Sequence, residues 1–179
     1  MPTLFSHPAV PLAIGLGLGS RIVPPRLLLA GVVCSLLPDL DVAGFYYGIS
    51  YGASIGHRGL THSLAFAVGV ALLGALLFRW RGDAPGKVFL FLLVAVASHG
   101  LLDAITNGGM GIALLWPFSE QRFFVPLQYQ VIEAAPLSAE RFFTARGAAV
   151  VLSELQWVWL PALLLAVLIA AVRRPGPVE

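Results

Sequence analysis

The sequence predicts an all-α protein, a polytopic transmembrane helix bundle of about five spans with an extracytoplasmic cap segment. Of its 179 residues, 58% are hydrophobic and 11% are charged, whereas soluble domains have roughly 25% charged residues. The mean hydropathy is +0.86, and the apolar residues form runs close to the length of about 20 residues that crosses a bilayer. The chain is long enough for one such bundle, so residues 1–179 are expected to form a single domain.

Five apolar runs account for the expected spans. They cover residues 8–23, 26–47, 61–78, 87–105 and 155–172. The second run contains Pro38, which should kink or partly unwind the helix because proline lacks the N–H that a helix interior uses. The last run is the clearest, since it has no charged residue and is followed by Arg173 and Arg174.

Residues 106–154 lack a long apolar run and mix glycine, proline, aromatic and charged residues. This composition is typical of segments outside the bilayer. We therefore expect an extramembrane cap here, with residues 141–154 a candidate amphipathic helix that leads into the last span. Glu154 keeps three interpretations: a metal ligand, a side chain that orients a ligating histidine, or the solvated end of a helix.

Basic residues divide unevenly between the two sides that five spans would create. One side carries Arg21, Arg26, Arg79, Arg81, Lys87, Arg173 and Arg174, and the other carries Arg58, Arg122, Arg141 and Arg146. By the positive-inside rule the first side is cytoplasmic, which places the C-terminus in the cytoplasm and the N-terminus outside. The net charge of +2 and the scattering of the basic residues argue against nucleic-acid binding.

Four short motifs hold all four histidines and three of the four aspartates. They are Ser6-His7-Pro8, Leu37-Pro38-Asp39-Leu40-Asp41, His57-Arg58-Gly59-Leu60-Thr61-His62-Ser63 and Ser98-His99-Gly100-Leu101-Leu102-Asp103. Ionisable side chains within membrane helices are costly and mark functional sites, and the predicted topology places all four motifs on the outer side. We therefore expect one metal centre facing the extracytoplasmic side. Its candidate ligands are His7, Asp39, Asp41, His57, His62, His99 and Asp103.

Each motif also has a simpler interpretation. His99 and Asp103 are four residues apart, so on a helix they share one face and could bind one metal or bridge two. The alternative is a histidine hydrogen-bonded to a helical neighbour. Asp39 and Asp41 would diverge on a regular helix unless the proline before them breaks the turn, and they could instead belong to a solvated loop. His57 alone could be a surface histidine. His7 is a candidate ligand only because the predicted topology places it on the same side as the other motifs.

Seven candidate ligands exceed the three that catalytic zinc usually takes from a protein, which predicts two or more ions. Imidazole and carboxylate ligands without thiolate suit zinc, manganese or iron, and zinc is favoured. Such a centre would hydrolyse its substrate with metal-activated water, and a spare carboxylate such as Asp41 would act as the base. Arg58 could stabilise a phosphate or an oxyanion; its alternative role is a salt bridge to Asp39 or Asp41.

The last three motifs, together with Trp116-Pro117-Phe118-Ser119 and Arg122-Phe123-Phe124, resemble the YdjM-like group of bacterial inner-membrane metal-dependent hydrolases, described as LexA-regulated. The resemblance covers nearly the whole chain. It implies a multi-pass protein of the inner membrane with metal-dependent hydrolase activity, and its pattern matches all seven candidate ligands. The arrangement of carboxylates and histidines is also similar, over a short range, to zinc-dependent phospholipase C, which favours phosphoester chemistry.

The aromatic and basic stretch 116–126 indicates the kind of substrate. Its aromatic side chains suit the headgroup level of a bilayer, so we expect a membrane lipid or lipid-linked phosphate; the alternative is an interfacial anchor without substrate contact. The sequence indicates no protein partner. The rival function is a divalent metal transporter, or a metal-binding membrane protein without hydrolase activity, because intramembrane His and Asp also line ion paths.

Overall fold

The computed structural model describes residues 1–136 and 138–173, and its regular secondary structure is helical. The α-helices are α1 (Ala9–Leu18), α2 (Pro25–Leu36), α3 (Leu64–Arg79), α4 (Pro85–Ala104), α5 (Ala139–Phe142), α6 (Ala145–Glu154) and α7 (Leu160–Arg173). Shorter 3₁₀ segments cover Leu37–Tyr47, Leu60–His62 and Leu127–Tyr129, and a π-helical segment covers Leu155–Trp159. In these ranges only isolated β-bridges occur and no strand, which confirms the all-α class.

Three continuous helical stretches are long and apolar enough to cross a membrane: Pro25–Tyr47, Pro85–Ala104 and Ala145–Arg173. The other two expected spans correspond to shorter apolar helices, α1 with 10 residues and α3 with 16. At about 1.5 Å per residue α1 extends about 15 Å, half of a hydrocarbon core about 30 Å thick. The count of five spans is therefore not confirmed. Arg174, which was assigned to the cytoplasmic side, lies outside the described residues.

The second span changes its helical form where Pro38 predicts it should. Regular α-helix ends at Leu36, and the chain continues as a 3₁₀ helix to Tyr47. Proline removes a backbone donor and disfavours the α conformation in the residue before it. The third span begins later than expected, because Ser63 caps α3 by accepting the N–H of Phe66 at 3.1 Å.

The expected cap segment is only partly separate from the spans. Single β-bridges join Thr106 to Ile132 and Ile112 to Phe123. The candidate amphipathic helix begins at Ala145, after the capping residue Thr144, and runs without a break through the π-helical segment into α7. The last span therefore includes residues that the sequence assigned to the cap.

The helices pack into two clusters of buried apolar residues. One lies where α1, α4 and α7 meet and contains Ala9, Ala13, Leu102, Ile132, Val158 and Ala162. The other joins α2, α3 and α4 through Val23, Leu27, Ala71, Val88, Phe91 and Leu92. In this second cluster α3 and α4 approach so closely that a Cβ at Gly74 would lie 2.1 Å from Leu92 Cδ1, so the first half of α4 packs tightly against α3.

The basic ends of the helices are joined by one carboxylate. Asp83, just before α4, accepts hydrogen bonds from Arg26 Nε at 3.1 Å and Arg26 Nη2 at 3.0 Å, and Lys87 Nζ lies 3.3 Å from its other oxygen. Burial would raise the pKa of Asp83, yet the hydrogen bonds from Arg26 and Lys87 hold it below the usual value. The starts of α2 and α4 therefore lie side by side. Because the other ends of the two helices also meet, with Asp39 Oδ1 3.4 Å from His99 Nε2, the helices run in the same direction.

Candidate metal centre

Two carboxylates and two histidines meet at the opposite end of the helices. Asp39 lies in the 3₁₀ segment after α2, His62 ends the 3₁₀ turn before α3, and His99 and Asp103 lie in the last turns of α4. One ligand atom from each of the four lies within 4.8 Å of the others. His99 Nε2 is 3.4 Å from Asp39 Oδ1, and His62 Nε2 is 3.0 Å from Asp103 Oδ2. All four residues are buried.

Three carboxylate oxygens in this cluster have no hydrogen-bond donor: both oxygens of Asp39 and Oδ2 of Asp103. The 3.0 Å approach of His62 Nε2 to Asp103 Oδ2 does not make a hydrogen bond. Burying an unpaired carboxylate costs several kcal/mol, so such groups are normally paired or bound to a metal. The donor set of two imidazole nitrogens and carboxylate oxygens therefore fits a divalent cation.

The outer hydrogen bonds of the two histidines direct their lone pairs into the cluster. His99 Nδ1 lies 2.8 Å from the carbonyl oxygen of Ser35, which can only accept a hydrogen bond, so in the neutral ring Nδ1 carries the proton. His62 Nδ1 lies 3.0 Å from the hydroxyl oxygen of Thr61; because that hydroxyl donates its own proton to Asp41, Nδ1 of His62 is the donor here as well. The two Nε2 atoms lie 3.1 Å apart and face the unpaired carboxylates. This is the tautomer and orientation that metal-binding histidines adopt.

Asp41 differs from Asp39 although only one residue separates them. Its Oδ1 lies 2.6 Å from His57 Nδ1, and its Oδ2 accepts the hydroxyl of Thr61 at 2.5 Å and the backbone N–H of Arg58 at 3.2 Å. The nearby Nδ1 of His62 lies 3.3 Å from Oδ2 of this carboxylate and 3.0 Å from the Thr61 hydroxyl oxygen. Asp41, His57 and His62 are close enough to hold a second ion, but both oxygens of the Asp41 carboxylate already accept hydrogen bonds.

Arg58 is fully buried and lies directly behind the cluster. Its Nη2 is 2.9 Å from Asp103 Oδ1, and its Nη1 donates to the carbonyl of Gly108 at 2.7 Å. The alternative role considered from the sequence, a salt bridge to Asp39 or Asp41, does not form, because the guanidinium pairs with Asp103. The backbone of Arg58 has a φ of 63°, a conformation that is uncommon outside glycine and that turns the side chain inward.

His7 lies beside the four-residue cluster. Its ring stacks on His99 with centroids 3.6 Å apart and an angle of 15°, and its Nε2 is 3.6 Å from Asp39 Oδ2. Neither ring nitrogen has a hydrogen-bond partner. Burial, aided by the neighbouring His99, lowers the pKa of His7 to about 3, which favours the neutral ring, in which one nitrogen can bind a cation and the other carries a proton to donate.

Comparison with known proteins supports the resemblance noted from the motifs. The sequence model of the family described as YdjM inner membrane protein matches residues 1–175. This chain belongs to the YdjM inner membrane protein family. It is 52% identical to the inner membrane protein YbcI of Escherichia coli (strain K12) over 166 residues, which are 92% of this chain and 95% of that protein. No solved structure matches it.

In this YdjM family member the loop that carries His57 is held by Arg122, which the sequence did not single out as a site residue. The Arg122 guanidinium donates to the carbonyl oxygens of Tyr51, Ala53 and His57 at 3.2, 3.1 and 3.1 Å, and to that of Gly111 at 3.4 Å. These bonds join the loop to the segment 111–123 and close the site on that side. The signal available from sequence was the place of Arg122 in the motif Arg122-Phe123-Phe124.

Glu154 takes none of the three roles that the sequence left open. It is buried at the end of α6, and its carboxylate accepts the backbone N–H of Thr3 and the Thr3 hydroxyl, the latter at 2.6 Å. The contact fixes the N-terminal segment four residues before His7. Glu154 thus acts on the position of that segment and has no recorded contact with the histidines or aspartates of the centre.

Proposed function

We propose that this membrane protein binds one divalent metal ion between Asp39, His62, His99 and Asp103 and hydrolyses a phosphoester of a lipid or lipid-linked substrate. The observation that carries the proposal is the group of three buried, unpaired carboxylate oxygens that face two imidazole nitrogens. Nitrogen and oxygen ligands in a compact group of four favour zinc, and manganese or iron could also occupy such a set.

The hydrogen bonds favour one ion and not the two or more that the count of ligands indicated. Both oxygens of Asp39 are unpaired, whereas Asp41 receives donors from His57, Arg58 and Thr61. Binding a second ion at Asp41 would require the loss of these bonds, which are short and partly buried. Asp41 is better suited to orient His57 and His62 than to bind metal, in the way that carboxylates support metal-bound histidines. His7 is the candidate for a fifth contact.

Bound metal would lower the pKa of a water molecule and polarise a phosphoryl oxygen. The protein groups around it have distinct roles in the proposed reaction. Asp41 holds Nδ1 of His57 and leaves Nε2 of that ring free to accept or deliver a proton. Arg58 is a positioning residue: both of its terminal nitrogens are bound within the protein, and its contact with Oδ1 of Asp103 leaves Oδ2 for the metal.

A lipid substrate is supported by exposed apolar side chains next to the aspartates. Leu40, between Asp39 and Asp41, is 68% exposed, and Tyr46 and Tyr47 at the end of the same 3₁₀ segment are 90% and 85% exposed. Phe118 of the aromatic motif is 92% exposed. Tyrosine and other aromatic residues favour the interface between hydrocarbon and headgroups, where a phosphoester of a lipid would lie.

The test combines metal content with activity in detergent-purified protein. The parental protein should contain about one equivalent of metal, since the four candidate ligand atoms lie close enough together to surround a single ion, and should hydrolyse at least one substrate from a panel of lipid phosphodiesters and phosphomonoesters. Asp103→Asn should lose metal and activity together. Asp83→Asn is the matched control, because Asp83 is also buried and ion-paired but lies at the opposite end of α4.

Two results would contradict the proposal. Metal retained at the parental level in Asp103→Asn would remove this residue from the centre. A metal-loaded parental protein that hydrolyses no substrate of the panel, but carries zinc or manganese across liposomes, would assign the site to ion transport instead.

A further inference from the structure

An apolar groove runs along the side of α4 that faces away from the metal centre. Two cavities of about 400 Å³ each lie between α1 and α4 and share Val94 in their lining. One extends to Lys87 at the start of α4, and the other extends to Ile105 at its end and to Val125. We call this feature the α1/α4 groove. It opens sideways, since Leu90 and Leu101 on its wall are 61% and 57% exposed.

The length and shape of the α1/α4 groove limit what can fill it. From Lys87 to Ile105 the helix rises about 27 Å, close to the hydrocarbon thickness of about 30 Å. Each of the two cavities has a volume of about 400 Å³, and both are open along one side. Flexible hydrocarbon chains can adapt to such an open, uneven apolar wall.

The chemistry of the lining points in the same direction. Apart from Lys87, the only hydrogen-bonding side chain among its lining residues is Ser98, and that hydroxyl already donates to the carbonyl of Ala95 at 2.9 Å. A peptide or sugar would lose its hydrogen bonds to water in such a groove without replacement. An acyl chain has none to lose.

One end of the groove is positively charged. Lys87 lines it directly, and Arg21 adjoins the lining residue Ile22. The acidic residue at this end is Asp83, which already binds Arg26 as well as Lys87. The positive charge of this end therefore exceeds what Asp83 neutralises, and it lies where an acyl chain in the groove would end in a headgroup. An anionic phosphate is the complementary group.

We propose that the α1/α4 groove binds one anionic phospholipid, whose acyl chains lie against Val94 and whose phosphate contacts Lys87. This lipid is not the substrate of the proposed hydrolase, because Lys87 lies 12 residues, or about 18 Å along the helix, before His99. It covers the apolar gap between α1 and α4 and so stabilises the helix that carries two of the candidate ligands. The inference is independent of the proposed hydrolysis.

Native mass spectrometry of protein in mild detergent tests the proposal, with phosphatidylglycerol and phosphatidylcholine of identical acyl chains as probes. Val94→Phe fills the junction of the two cavities. Its matched control is Val68→Phe, because Val68 on α3 is similarly exposed, 37% against 41%, and does not line the groove. Lys87→Gln removes the charge at the groove, and Arg79→Gln removes an exposed charge from the end of α3 instead.

The parental protein should retain one phospholipid and should prefer phosphatidylglycerol. Lys87→Gln should reduce that preference about fivefold, the effect expected for one lysine near an anionic lipid, while Arg79→Gln leaves it unchanged. Val94→Phe should lose both lipids, and Val68→Phe should bind them like the parental protein. Thermal unfolding and metal content, measured on each variant, verify that it is folded.

Three outcomes overturn the proposal. Equal lipid retention in Val94→Phe and Val68→Phe would show a non-specific lipid shell. An unchanged preference in Lys87→Gln would place the headgroup elsewhere. A dimer of the parental protein that is lost in Val94→Phe would assign the groove to a second copy of the chain.

Discussion

The guanidinium of Arg58 holds one oxygen of Asp103 at 2.9 Å and leaves the other oxygen turned towards His62 Nε2, 3.0 Å away. The two residues are 45 positions apart in sequence, and both side chains are inaccessible to solvent. A buried carboxylate with one oxygen paired and one unpaired is prepared to bind a metal through the unpaired atom. The contact therefore connects the motif at residues 57–63 to the motif at residues 98–103, and it sets the direction in which the Asp103 carboxylate faces.

Arg58→Ala should destabilise the protein by about 3–5 kcal/mol, because it leaves the Asp103 carboxylate buried without its counter-ion. Metal affinity should fall as well, since Asp103 loses the contact that fixes its orientation. Arg58→Lys should restore only part of both, because an ammonium group cannot reproduce the two bonds to Asp103 and Gly108. Thermal unfolding and the absorption spectrum of the cobalt-substituted protein would measure the two effects.

The same variants separate positioning from direct contact with a phosphate. If Arg58 only positions Asp103, hydrolysis by Arg58→Lys at full metal occupancy should stay within about tenfold of the parental rate. Loss of an oxyanion donor would instead cost about 10²–10³ in rate at unchanged occupancy. That second result would return Arg58 to the transition-state role considered from the sequence.

Asp39→Asn and Asp41→Asn should differ in metal content. Asp39 has two unpaired oxygens, so its replacement should abolish stoichiometric binding. Asp41 is satisfied by donors, so Asp41→Asn should still bind one ion, with an affinity lowered about 10- to 100-fold as for other residues that support metal-bound histidines. Elemental analysis and competition with a chelator would show the difference. Two equivalents in the parental protein, falling to one in Asp41→Asn, would make Asp41 a ligand.

The sequence could indicate which residues gather at this centre but not the role of each residue. Four motifs at helix ends predicted that histidines and aspartates converge, and the i, i+4 spacing predicted that His99 and Asp103 share a face. Asp39 and Asp41 have the same chemistry, and only their three-dimensional neighbours distinguish them. The pairing of Arg58 with Asp103 depends on an unusual backbone conformation at Arg58, which no residue pattern marks.

Glu154→Leu should release the N-terminal segment, because the carboxylate accepts both the N–H and the hydroxyl of Thr3. Hydrogen exchange of residues 1–8 should then increase, while exchange of α4 stays at the parental level. Thr3→Val removes one of the two bonds and should give a smaller increase. Unchanged exchange of residues 1–8 in Glu154→Leu would show that the segment is held by its apolar contacts alone.

Helix boundaries were predicted less well than the fold class. Pro38 marked the end of α2, since its effect on the backbone is local. The first helix is shorter than its apolar run because it ends at Gly19, whose φ of 72° breaks the helix before Arg21. The sequence predicted residues 141–154 as a candidate helix outside the last span, whereas in the structure one continuous helix begins at Ala145 and runs to Arg173.

The number of membrane crossings remains a prediction. Contacts between helix ends indicate which helices cross. Asp39 Oδ1 and His99 Nε2 are 3.4 Å apart, so the ends of α2 and α4 lie at one level. Arg26 and Asp83 meet at the starts of these helices. Two parallel spans require the chain between them to return across the membrane, and α3 is the helix available for that. We therefore expect α3 to cross despite its 16 residues.

Cysteine labelling tests this expectation. After Cys34→Ala removes the single native cysteine, Tyr47→Cys and Arg81→Cys place one thiol before α3 and one after it, both at exposed positions. A membrane-impermeant maleimide should label position 47 in intact cells and position 81 only after the membrane is opened. The uneven distribution of basic residues predicts this direction, with the metal centre outside.

Reporter fusions near Leu137 and after Glu179, both outside the described residues, should be active outside and inside respectively. Labelling of positions 47 and 81 from the same side would show that α3 does not cross, and the reverse pattern would place the metal centre in the cytoplasm.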